Sequence, residues 1–147
     1  MKSIRLLFTA VSFLLISSLA IPGQTQVYTP RPNSLERKAQ MDLLRAPVEK
    51  LLKQKVIFVV NNLRSTGAWA FLEAIPKQPN GKDINYSKTR FAKDYKDGVF
   101  GGEACALMHK TNGKWKIVKF DYGYSDVVWV GWKGKYHEPR GIYPPGT

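Results

Sequence analysis

The chain is 147 residues long, 44% apolar and 23% charged, with one cysteine and a formal net charge of +12. Such a chain suits one globular domain, leaves little room for a second, and excludes a disordered polymer or an internal disulfide. The basic balance, with a pI near 9.9, serves solubility or attracts an anionic partner: envelope polysaccharide, lipid headgroups, nucleic acid or an acidic protein.

Lys2 and Arg5 precede an almost wholly apolar run over residues 6–19, and Ser18-Leu19-Ala20 puts small residues where a signal peptidase reads. Residues 1–20 are therefore expected to be a secretory signal peptide. The apolar run is shorter than the roughly 20 residues a bilayer needs, and Pro22-Gly23 follows at once. A transmembrane anchor is thus not expected in the mature chain, nor a lipid anchor, since no cysteine lies near the cleavage region. Loss of Lys2 and Arg5 takes the charge from +12 to +10.

Residues 21–33 read as an extended linker. Asn33 with Glu36 resembles a capping box, so a helix is expected over residues 34–53. Met41, Leu44, Val48, Leu51 and Leu52 recur at helical spacing and form one apolar stripe, the pattern of a core-facing helix. Pro47 lacks the N–H that would bond to Leu43 and is expected to kink or split the helix. Residues 56–63 and 68–75 then read as a hairpin, with Pro76 ending the second strand. Residues 77–83 are loop. Residues 86–96 suggest a short helix capped by Ser87, with Phe91 and Tyr95 on one face and Gly98 as a stop. Asn85-Tyr86-Ser87 also fits the glycosylation acceptor pattern, which matters only in a eukaryotic secretory pathway.

The strongest local signal is Asn112-Gly113 between alternating apolar residues, a two-residue turn that demands positive φ. The implied register sets Thr111 against Lys114, His109 against Lys116, Leu107 against Val118 and Cys105 against Phe120. One face then carries Cys105, Leu107, Val118 and Phe120; the other carries Ala104, Ala106, Met108, Trp115 and Ile117. Both faces are apolar, so something should cover each. Residues 121–124 turn a corner and residues 125–132 are expected to form a last strand. On that strand Trp129 and Trp132 would face opposite ways. Residues 139–147 read as an irregular tail, so residues 34–138 would make a single domain. The expected class is α+β, with the N-terminal helix packed on a curved antiparallel sheet of about five strands.

A helix followed by antiparallel strands, with "NGKWKIVKF" as a late hairpin, resembles the cystatin-like and NTF2-like α+β proteins. The stretches "LLRAPVEKLLKQKVIFVVNNLRSTGAWAFLEAIP" and "SDVVWVGW" resemble a group of small secreted bacterial proteins without an assigned activity. That resemblance spans residues 34–137. It implies a periplasmic or secreted bacterial location and carries no catalytic residue to transfer.

Chemistry is sparse. His109, His137 and Cys105 show no ligand spacing, so neither a metal nor another cofactor is expected. Cys105 sits in an apolar strand and reads as a small core residue; His109 is about 13 Å along that strand, too far to act as its base. An enzyme could use Asp121, Tyr122, Tyr124, Asp126 and His137 for acid–base work in a cavity between helix and sheet, as NTF2-like folds do. Asp at turns and Tyr at apolar–polar boundaries more often serve structure. A binding site could instead use Lys110, Lys114 and Lys116 at the hairpin end, or an outward tryptophan, Trp129 or Trp132, beside Lys133. The sequence thus favours a periplasmic or secreted binding protein with an anionic envelope polymer or another exported protein as partner. Export argues against nucleic acid.

Overall fold

The computed structural model describes residues 26–146; the expected signal peptide and residues 21–25 of the expected linker lie outside the described residues. A long helix, α1 (Leu35–Leu52), precedes two antiparallel hairpins, β1 (Ile57–Ser65) with β2 (Trp69–Lys77) and β3 (Glu103–Thr111) with β4 (Lys114–Tyr124). The four strands form one open sheet in the order β1-β2-β3-β4. A 3-10 turn (Tyr86–Lys88) and a short helix, α2 (Ala92–Lys96), connect the hairpins, and a second 3-10 helix (Val128–Trp132) follows β4. The fold is α+β, as the element pattern implies, but with four strands.

Ser34 rather than Asn33 caps α1, its side chain accepting from the Arg37 N–H. Glu36 does not turn back to the cap. It accepts from the hydroxyls of Ser65 and Tyr28 and so ties the helix start to β1 and the preceding segment. The helix runs unbroken through Pro47. Proline forfeits one hydrogen bond, and the burial of Leu44, Val48 and Leu52 along the stripe holds the helix together across it. The sheet under the stripe is lined at its centre by Ala70, Ala74, Ala104 and Ala106, all buried. These short side chains let the helix lie close.

The turn at Asn112-Gly113 forms as expected, with positive φ at both residues. The register holds from Thr111↔Lys114 to Met108↔Ile117 and then shifts, so that Leu107 faces Lys119 and Cys105 faces Asp121. Val118 is the extra residue of a bulge. Because side chains alternate along a strand, one inserted residue moves everything beyond it to the other face. Phe120 therefore joins the helix-side core with Trp115 and Ile117, while Val118 stays on the outer face. A second bulge places Gly123, at φ +78, between the pairs Ala104↔Tyr122 and Glu103↔Tyr124. A Cβ there would sit 1.8 Å from the Phe100 ring, so both the backbone and the space require glycine.

Both faces are covered. The outer face is packed by Phe71, Cys105 and Leu107 beneath Trp129, Trp132, Ile142 and Tyr143. Residues 125–132 are not a fifth strand: Val128–Trp132 is a 3-10 helix, in which side chains three apart eclipse. Trp129 and Trp132 consequently point the same way, into the sheet, at 4% and 6% exposure. The Arg64 guanidinium donates from Nε and Nη2 to the Gly141 carbonyl at 3.0 and 2.9 Å, pinning the irregular C-terminal segment to β1. Pro76 does not end β2, which continues to Lys77. Residues 86–96 divide into two short helical pieces, and Asn85, not Ser87, caps the first.

Candidate functional site

The acid–base candidates do not converge. Tyr122 faces α1, buried among Phe91 and Phe100, with its hydroxyl 2.9 Å from that of Tyr86. Burial pushes both phenols above their usual range. Tyr124 lies on the opposite face and donates to Glu73 Oε1 at 3.4 Å; burial raises its phenol too. Asp121 sits across from Cys105 and accepts from the Tyr122 N–H. Asp126 is exposed and accepts from the Val127 N–H, an ordinary turn role. His137 is exposed in the C-terminal segment. Tyr124 and Asp126 share a hollow, of about 390 Å³, on the outer face with Glu73 and Glu103. On the helix side, the rings of Tyr86, Phe91, Phe100 and Tyr122 pack edge to face around the two hydroxyls.

Cys105 is fully buried, and burial pushes its thiol up to about 12. Such a thiol is a poor nucleophile at neutral pH. His109 lies elsewhere, its ring stacked on Trp69 with centroids 4.3 Å apart. Among the described residues no group of His, Cys, Asp and Glu comes together to hold a metal, and no helix is long and apolar enough to cross a membrane.

The basic candidates fare differently. Lys110, Lys114 and Lys116 are all exposed at the tip of the β3–β4 hairpin. The pairs Lys110↔Trp115, His109↔Lys116 and Thr111↔Lys114 set them within one short end of the sheet. Lys110 Nζ lies 5.5 Å from the Trp115 ring centroid, on the helix side. On the other side the pairing Trp69↔His109↔Lys116 runs an aromatic ring, an imidazole and an ammonium across three strands. The ion pairs of the described residues engage Lys38, Arg45, Lys55, Lys77 and Lys93, so none neutralises this end. Trp69 could not be singled out from the sequence because its neighbour His109 is supplied by a strand some forty residues on. Trp129 and Trp132, buried as described, have no free ring face for a ligand.

Lys133 and His137 line a cleft of about 830 Å³ with Arg64, Arg140, Glu138 and Tyr143. Here Glu138 accepts from the Gly134 and Tyr136 N–H groups. Burial raises the Tyr143 phenol, and the nearby Glu138 carboxylate adds to that. The Tyr143 hydroxyl itself is buried outside hydrogen-bonding geometry. Comparison with known protein families, with curated proteins and with solved structures finds no match to this chain.

Proposed function

We propose that this is an exported, non-enzymatic binding protein, periplasmic or secreted, whose partner is an anionic envelope component. The observation that carries this reading is the hairpin end, where Lys110, Lys114 and Lys116 are exposed, unneutralised and gathered by strand pairing. Half-buried Trp69 stacked on His109 supplies an aromatic surface beside Lys116, a combination suited to a sugar or anionic polymer. Weighing against the enzyme alternative, Tyr122 lies on the helix side of the sheet, away from Tyr124 and Asp126, and His137 lines a different cleft from theirs. The long helix followed by an antiparallel meander supports kinship with cystatin-like or NTF2-like proteins, and the basic start and apolar run of residues 1–20 support export.

The test is binding to purified anionic envelope polysaccharide across a salt series. Exposed charges are screened over about 8 Å at physiological ionic strength, so affinity should fall steeply as salt rises. Binding that is absent at low salt, or indifferent to salt, would leave the charge as a solubility device.

A further inference from the structure

A second cationic surface lies on the helix side, away from the hairpin tip. Lys50, Lys53, Lys88 and Arg90 line one groove of about 520 Å³, and no carboxylate lines it. Lys53 and Lys88 recur in a neighbouring hollow with Gln54 and Asn85. None of the four cations joins the ion pairs of the described residues. Between them the groove offers carbon: Pro47 and Leu51 from α1 and Phe120 from β4.

Part of this charge has a structural use. Lys50 lies in the last turn of α1 and Lys53 is its C-cap, where cations complement the helix macrodipole. That dipole end is worth only about half a negative charge, less than one lysine supplies. Lys88 and Arg90 come from the connection after β2; Lys88 ends a 3-10 turn of only three residues, whose dipole is far smaller than that of α1, and Arg90 rests over the Phe91 ring at 4.8 Å. Four like charges around one concavity repel unless an anion lies among them. Lysine ammoniums and an arginine fork match the oxygens of a phosphate, and the apolar floor matches the carbons of its ester. The volume falls within the usual range of a small-ligand site.

We propose that this groove binds the phosphate ester of an anionic phospholipid headgroup, with Lys88 and Arg90 on the phosphate and Leu51 and Phe120 beneath the first carbons of its stem. This deepens the anionic-partner reading at a place separate from the hairpin, so the two can fail independently.

The experiment compares full-length chains that share the same N-terminal segment, so that differences report the groove. Binding is measured to phosphatidylglycerol vesicles, to phosphatidylcholine vesicles, and to soluble glycerol phosphate and inorganic phosphate. The Lys88→Gln/Arg90→Gln variant is expected to lose about thirtyfold in affinity for phosphatidylglycerol vesicles, with circular dichroism unchanged. Glycerol phosphate should compete for the same site, and phosphatidylcholine should not bind there. The Lys110→Gln/Lys114→Gln/Lys116→Gln variant should keep its glycerol phosphate binding; if that variant also keeps full polysaccharide binding, the hairpin reading fails and this one stands. Wild-type affinity of the Lys88→Gln/Arg90→Gln variant for phosphatidylglycerol vesicles would overturn the proposal. So would capture of the soluble phosphates with no preference for phosphatidylglycerol, which would make the ligand a free phosphate. Should the double variant lose its fold, Lys50→Gln tests the same groove and is expected to weaken vesicle binding several-fold.

Discussion

Ile142→Ala probes whether the C-terminal segment is part of the core. Ile142 is fully buried against the outer sheet face, in a cluster with Phe71, Leu107 and Trp129. Truncating a core isoleucine to alanine costs about 2–5 kcal/mol, from lost transfer free energy and the cavity left behind. The segment around Ile142 belongs to no helix or strand, so it can relax partly into the space, and a cost of about 3 kcal/mol is expected. For a domain of this size each kcal/mol lowers Tm by roughly 4 °C, which gives a fall of about 12 °C. Thermal unfolding followed by far-UV circular dichroism and tryptophan fluorescence measures it. A fall of less than about 2 °C would refute the packing, since a loose tail would lose under about 0.5 kcal/mol.

Gly123→Ala should destabilise by about 2–4 kcal/mol, combining positive-φ strain with a clash on Phe100; denaturant unfolding with an unchanged midpoint would contradict it. Tyr143→Phe should leave Tm equal or slightly higher, because it removes a buried hydroxyl that makes no hydrogen bond; a drop of several degrees would mean that the hydroxyl is bonded in solution. Cys105→Ala should cost about 1 kcal/mol, and native Cys105 should resist thiol reagents until the protein unfolds. The thiol is raised from its usual 9.0 to about 12 in the fold, so its contribution to stability is complete below pH 9 and is lost as pH rises toward 12, where the unfolded chain alone has released the proton. Cys105→Ala should flatten the decline in Tm between pH 9 and 10, before the raised tyrosines contribute; an identical decline in both proteins would rule the thiol out.

Much of the fold was legible because local chemistry repeats it. The apolar stripe of α1, the Asn112-Gly113 turn and the alternation beside it each state one element, and two apolar sheet faces required two covers. The bulge at Val118 was not legible, since an inserted residue leaves the apolar pattern intact while reversing it beyond that point. Nor was the 3-10 helix at Val128–Trp132: "VVWVGW" is β-branched and aromatic, and only its packing on Phe71 and Leu107 selects a tight helix with both tryptophans inward. Of the site residues, the hairpin lysines followed from the turn alone. Lys88 and Arg90 did not, because Lys50 and Lys53 of α1 and Phe120 of β4, which line the groove with them, come from distant segments that only tertiary packing assembles.

The most direct measurement is the affinity of wild type and of Lys110→Gln/Lys114→Gln/Lys116→Gln for anionic envelope polysaccharide, titrated from low to physiological salt. Wild-type affinity is expected to fall steeply along the series, and the variant, folded as the wild type, is expected to bind at least tenfold more weakly at low salt and with a shallower salt dependence. Equal affinities and equal salt slopes for the two proteins would contradict a binding role for the hairpin end.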